Sequence, residues 1–151
     1  MMTKHFDSQI DQIANECIAV RLRMLNRVVT NIYDNALRSL DLKVSQMNIL
    51  VATAKMGIVR PADMCDILNL DVSTLSRNVE RMKQRGWLQV VPESDGRAQP
   101  FQLTFEGRKL LEDAIPAWQG AQEQVMQLLG EDSVTHFNQA IKRINQVSLL
   151  D

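Results

Sequence analysis

The 151-residue chain has little of what usually announces chemistry. Its two cysteines, Cys17 and Cys65, and two histidines, His5 and His136, are scattered with no metal-ligand spacing, which argues against a structural zinc site. There is no carboxylate pair, Ser/His/Asp set, phosphate loop or metal cluster, so the chain reads as a non-enzyme that needs no cofactor. No run of about 18 apolar residues exists, which excludes a membrane-spanning helix and a membrane partner. The opening MMTKHFDSQIDQ lacks the apolar core of a signal peptide, so a cytoplasmic location is expected. Internal repeats, low-complexity segments and linkers are absent too.

What remains is 45% apolar, which rules out wholesale disorder and fits one compact domain with an attached oligomerisation element. The net charge of −1 hides a segregation. Residues 1–109 hold 15 Lys and Arg against 12 Asp and Glu, whereas residues 110–151 hold 2 against 6. Nucleic-acid binding needs a local basic face, so near neutrality overall does not exclude it.

From Asp7 to Leu40 apolar residues recur every three or four positions, through Ile10, Ile13, Cys17, Val20, Met24, Val28 and Ile32, uninterrupted by Pro or Gly. That is a long amphipathic helix, or two joined end to end, with Asp7 or Ser8 as N-cap. Some 30 residues span about 45 Å, too long for the interior of one small domain. Ser45 reads as the cap of a short helix that Gly57 ends. Ile58-Val59 is long enough only for a tiny strand. Pro61 suits the first turn of the next helix, and Asn69 its end.

Then comes DVSTLSRNVERMKQRGW, residues 71–87. At about 100° per residue, Val72, Leu75, Val79 and Met82 cluster on one face. Ser73, Thr74, Arg77, Arg81 and Gln84 lie opposite. The turn before it is about three residues, as in a helix-turn-helix, which makes residues 72–85 a recognition helix whose arginines reach guanine edges or phosphates. After Gly86 the period changes to strand, Trp87–Val91 and Phe101–Leu103, around an Asp-Gly turn that carries Arg97. A hairpin directly after a recognition helix is a wing, and its arginine is placed to enter the minor groove. Thr104 caps a further long helix containing Pro116, where a kink is expected. Gly130 separates it from a last helix with Val134, Phe137, Ile141 and Ile144 at helical spacing. The fold class is therefore mainly α with a small β-hairpin wing. A winged helix-turn-helix core at 43–104 is flanked by long helices at 7–40 and 105–149, within a single chain unit of 1–151.

RPADMCDILNLDVSTLSRNVERMKQRGWL (60–88) followed by DGRAQPFQLTFEGRKLL (95–111) closely resembles the MarR family of bacterial transcription regulators. The family's wing signature, D-x-R, five residues, then L-T-x-x-G, is met by Asp95, Arg97, Leu103, Thr104 and Gly107. The resemblance extends to VTNIYDNAL (29–37) and AIPAWQGAQEQVMQLLG (114–130), and covers nearly the whole chain. Two departures are Pro100 in the returning wing strand, which can give no ladder hydrogen bond, and Asp41, where the family often has Gly. The resemblance implies a homodimer whose first and last helices interlock, two winged helices reading a palindromic double-stranded DNA site, repression, and control by a small-molecule effector. The long flanking apolar faces fit a partner chain as their cover.

On this reading Arg77, Ser73 and Thr74 contact bases, Arg81 and Gln84 contact bases or phosphates, and Arg97 enters the minor groove with Asp95 orienting it. Arg60 meets phosphate or is merely solvated. One branch of the family senses organic hydroperoxides through a first-helix cysteine hydrogen-bonded to tyrosines. Cys17 lies in such a helix, with Tyr33 the only tyrosine and Arg21 one turn on. Cys17 also sits on the apolar stripe, where core packing is the preferred reading. Trp118 and the methionines line either an effector pocket or the core. Two alternatives stay open: a thiol switch at Cys17 with the same DNA output, and a helical interaction module that no longer binds DNA.

Overall fold

The structure, a computed structural model, describes residues 2–92 and 99–147. The first long stripe forms two helices, α1 (Met2–Glu16) and α2 (Ile18–Ala36), joined at Cys17. There the backbone leaves the helix at φ −61°, ψ 108°. The Cys17 amide still donates to the Ile13 carbonyl (3.1 Å) and its own carbonyl accepts from Arg21 (3.3 Å). The break thus costs no backbone hydrogen bond at that residue, and nothing in the local sequence explains it. The helix starts at Met2, ahead of the Asp7 or Ser8 cap expected.

A short 3-10 turn, Arg38–Leu40, ends at Asp41 in the left-handed conformation, φ 51° and ψ 36°. This accounts for the family's glycine at that position. Asp is among the few L-residues that occupy the conformation at modest cost.

Helix α3 (Val44–Met56) follows, with Lys43 rather than Ser45 at the N-cap. Lys43 has no capping acceptor, so others supply it. Gln46 Oε1 accepts from the Lys43 amide (3.1 Å), and Asp34 Oδ1, reaching across from α2, accepts from the Val44 amide (2.9 Å). Gly57 ends α3 at φ 84°.

Helices α4 (Pro61–Leu68) and α5 (Val72–Gln84) precede the antiparallel pair β1 (Leu88–Val90) and β2 (Phe101–Leu103). The register is Leu88 to Leu103, Gln89 to Gln102 and Val90 to Phe101. Val59 adds a one-residue bridge, exchanging two 2.9 Å hydrogen bonds with Phe101. Pro100 stands just before β2, where its missing amide is not called on. It is buried, and its carbonyl accepts from Val91 (2.7 Å).

Helix α6 (Phe105–Leu129) runs through Pro116, and α7 (Glu131–Val147) follows Gly130. Thr104 caps α6 by accepting from the Gly107 amide (3.0 Å).

The core lies inside the winged helix. Leu37, Leu42, Ile49, Leu50, Val59, Met64, Leu75, Met82, Leu88 and Phe101 are buried together, and Ala114 of α6 joins them. The long helices contrast with this. α2 packs along α6 yet buries none of its own residues. The stripe read from the sequence faces outward in the single chain: Ile13 is 63% exposed and Met24 65%, and on α7 Ile144 is 64% exposed. Among the described residues no helix is long and apolar enough to cross a membrane.

Candidate nucleic-acid interface

The helix-turn-helix is built by two capping residues. Asn69 ends α4 in the left-handed conformation, φ 50° and ψ 51°, a state Asn tolerates better than most side chains. The chain reverses within three residues, and Asp71 opens α5 as its N-cap. At the far end Gly86, at φ 75°, lets its own amide reach the Lys83 carbonyl (2.9 Å) and that of Trp87 reach Met82 (2.9 Å). This double closure satisfies the last carbonyls of α5 and turns the chain directly into β1.

Leu75 and Met82 of α5 are buried and Val79 is half-buried, which sets the helix rotation. Val72 departs from the apolar face expected of it. It is 72% exposed, because it borders a surface cleft with Pro61, Val90 and Phe101 instead of lying beneath them. The opposite face presents Ser73, Arg77, Arg81 and Gln84, all exposed, with Glu80 among them and Thr74 half-buried at the flank.

Four cations lie between Val72 and Arg85, and pairing divides them. Lys83 Nζ lies 3.1 Å from Glu80 Oε2. Arg85 Nη1 lies 2.7 Å from Asp41 Oδ2 and donates to the Asp41 carbonyl (2.8 Å), with its guanidinium 5.0 Å from the Trp87 ring centroid. That contact ties the end of α5 to the turn after α2. Both pairs are solvent-exposed and contribute at most about 1 kcal/mol each to stability, but they occupy their charges.

Arg77 and Arg81 have no acidic partner among the described residues. Arg77 Nε donates to the Ser73 carbonyl (3.2 Å), which anchors the guanidinium and leaves both terminal amino groups without a hydrogen-bond partner among the described residues. Two exposed guanidinium groups without a salt bridge among the described residues, on the outer face of a helix-turn-helix, can serve phosphate oxygens or the paired acceptors of guanine.

The smaller polar residues are held locally. Gln84 Nε2 lies 3.4 Å from Glu80 Oε1. Ser73 Oγ donates to Asp71 Oδ1 (2.5 Å), Thr74 Oγ1 to Asp71 Oδ2 (2.7 Å), and the Thr74 amide to Asp71 Oδ1 (2.8 Å). These hydrogen bonds, Ser73's foremost and then Thr74's two, hold the Asp71 carboxyl well below the ordinary carboxylate range, with the nearby Arg77 charge acting in the same direction. Sequence reasoning passed over Asp71, although an Asp immediately before a helix, followed by Ser and Thr, is itself a capping signal. Asp95 and Arg97 lie outside the described residues. Arg60 is exposed at the N-cap of α4.

Cys17 is half-buried at the α1–α2 joint. Arg21, one turn on, donates from its guanidinium to the Asn15 carbonyl. Tyr33 Oη donates to Gln122 Oε1 of α6, and burial raises its pKa. Sixteen residues of α2 separate Tyr33 from Cys17, about 24 Å of helix, so the two do not meet within one chain. Cys65 packs against the winged-helix core.

Tyr33 borders two cavities. One of about 530 Å³ lies between α2, α6 and α7, walled by Leu22, Leu25, Val125, Met126 and Phe137. The other, about 300 Å³, lies where α2, α3 and α6 meet, beside Val44, Asn48 and Trp118. Trp118 therefore lines a cleft and not the core. No group of three or more His, Cys, Asp or Glu is disposed to hold a metal among the described residues.

A family model described as "MarR family" matches residues 40–98, the segment that contains α3, α4, α5 and β1. The Multiple antibiotic resistance protein MarR of Salmonella typhimurium is 24% identical over 123 residues, 80% of this chain and 85% of that protein. A cysteine-to-serine mutant of MarR from E. coli, solved in complex with operator DNA, superposes with a TM-score of 0.78 at 19% identity, covering 88% of this chain and 96% of that one. The M. tuberculosis transcriptional regulator MOSR, also solved with DNA, gives 0.77 at 27% identity over 89% of this chain and 98% of its own. Likeness in sequence and likeness in fold thus fall on the same helix-turn-helix: residues 40–98 match the MarR family, and the fold is that of the MarR-family structures compared with it.

Proposed function

We propose that the chain is a sequence-specific, double-stranded DNA-binding repressor of transcription. It acts as a homodimer on a palindromic operator and is released by a small-molecule effector. The observation that carries this reading is the pairing pattern on α5. Lys83 and Arg85 form ion pairs within the protein, whereas Arg77 and Arg81, exposed on the outer face, form none among the described residues. The DNA complexes of the two structural relatives support the same reading by analogy of fold. The competing reading, a helical module that has lost DNA binding, is disfavoured by Arg77 and Arg81 themselves.

The homodimer rests on the outward apolar stripes of α1, α2 and α7. A second copy, related by a two-fold axis, would cover them with their own kind. Deleting residues 131–151 should therefore give monomeric or aggregated protein with weakened operator binding, read by light scattering and gel shift. A well-behaved dimer after that truncation would remove α7 from the interface.

The cleft beside Trp118 is the effector site that this reading favours. A ligand there touches α2 and α6 on one side and Val44 and Asn48 of α3 on the other, so it can bias the winged helix against the long helices. Differential contact of that kind is what an effector needs in order to shift a conformational equilibrium.

The thiol-switch alternative calls on partners that are engaged elsewhere, Arg21 on Asn15 and Tyr33 on Gln122. Cys17 is therefore taken as packing. Wild type and Cys17→Ser should hold operator DNA equally at low hydroperoxide. Release of the wild type alone would establish the switch.

A further inference from the structure

The hydroxyls at the start of α5 are not free donors, and this bears on what they can read. A serine or threonine hydroxyl has one proton to donate and two lone pairs to accept with. In Ser73 and Thr74 that proton is already given to Asp71, at 2.5 Å and 2.7 Å. Asp71 is held ionised by these same bonds, and an ionised carboxylate only accepts, so the direction of both bonds is fixed. Toward anything outside the protein Ser73 Oγ therefore offers lone pairs alone. Phosphate oxygens are acceptors and can make no bond with it. Guanine O6 and N7 and thymine O4 are acceptors as well. Only the exocyclic amino groups of adenine and cytosine donate in the major groove. Of the two hydroxyl residues Ser73 is the exposed one and Thr74 is half-buried, which makes Ser73 the reader.

We infer that Asp71 is a specificity-determining positioning residue: it fixes Ser73 as a hydrogen-bond acceptor, so that the base facing the first turn of α5 is chosen for its amino group, adenine or cytosine. The inference deepens the DNA-binding reading and rests on it. Arg77, on the same face one turn later, supplies the complementary chemistry. It donates only, and so selects acceptor edges. One helix turn thus carries an acceptor and a donor at fixed spacing, with Asp71 setting the sign of the first.

Two substitutions separate this role from simple loss of a negative charge near DNA. Asp71→Asn removes the charge, but its amide oxygen in the place of Oδ1 still accepts from both the Thr74 amide and Ser73 Oγ. Asp71→Gly removes every acceptor from the side chain, while glycine remains a tolerable N-cap. Operators are selected from a random duplex pool with the full-length wild type, and the position whose preference Ser73→Ala flattens is identified. At that position the amino group is then deleted, purine replacing adenine or 2-pyrimidinone replacing cytosine.

Wild type and Asp71→Asn should lose about tenfold in affinity on that deletion, and Asp71→Gly and Ser73→Ala less than about twofold. The inference is overturned if Asp71→Gly is as sensitive as wild type, if Asp71→Asn is as insensitive as Asp71→Gly, or if Ser73→Ala flattens no position. Should Asp71→Gly melt early by circular dichroism, the contrast of wild type and Asp71→Asn against Ser73→Ala decides it. A pool from which wild type enriches nothing overturns the DNA-binding reading itself, and the inference with it. An enriched operator with the wrong sensitivity overturns the inference alone.

Discussion

Gly107→Ala should destabilise the fold by about 3 kcal/mol or more, lowering the melting temperature by roughly 10 °C. The cause is a single close approach. A Cβ on Gly107 would stand 2.1 Å from the Trp87 carbonyl oxygen and 3.0 Å from its carbon. Backbone cannot rotate out of the way as a side-chain tip can. The Trp87 carbonyl is also the acceptor for the Thr104 amide (3.1 Å), and Thr104 Oγ1 donates to the Gly86 carbonyl (2.5 Å) while capping Gly107. Pushing α6 away from Trp87 would therefore strip its N-cap and loosen the hairpin at its base. This is the physical content of the glycine in L-T-x-x-G. Gly120, on the same helix with open space where its Cβ would stand, is the control. Gly120→Ala should cost nothing and raise stability by up to about 1 kcal/mol. Thermal melts of the two variants check both expectations, and a Gly107→Ala variant as stable as Gly120→Ala would mean that the Trp87 contact does not govern the site.

Arg77→Ala should weaken operator binding by about 1–3 kcal/mol per half-site and relax preference at one operator position. Its guanidinium is anchored on the Ser73 carbonyl and forms no salt bridge among the described residues, so truncation removes a base contact without breaking an ion pair there. Arg97→Ala is expected to act differently. In the sequence Arg97 belongs to the wing motif, and the minor groove or phosphates it would meet carry little base identity. It should weaken binding to many sequences alike and flatten the dependence of log K on log salt by roughly one unit per lost phosphate contact. Competition titrations at several salt concentrations separate the two. An exchange of the two signatures would reverse the groove assignment.

The exposed placement of Arg77 was legible in the sequence, because helical periodicity assigns a face, and a face needs only spacing to be recognised. The caps formed by Thr104 and Asn69 and the stop at Gly86 were equally local, each written in one or two residues. What stayed hidden depended on contacts between elements far apart in the chain. Asp34 caps α3 from α2, and Asp41 takes Arg85 out of play from forty-four residues away; neither pairing has a local signal. Val72 fits the apolar period, but whether the core extends to the first turn of a helix is decided by the neighbouring elements. Asp71 is a different case. Its signal is local, an acid directly before Ser73 and Thr74 at a helix start, and it organises those two hydroxyls.

The most direct test of the account is a binding titration of the full-length protein against an operator selected from random duplex, beside a scrambled duplex of equal length and composition. The account predicts that the selected duplex binds at least about a thousandfold more tightly than the scrambled one, that log K falls linearly with log salt for both, and that Arg77→Ala erodes the difference. Equal affinity for the two duplexes, unchanged in Arg77→Ala, would contradict it.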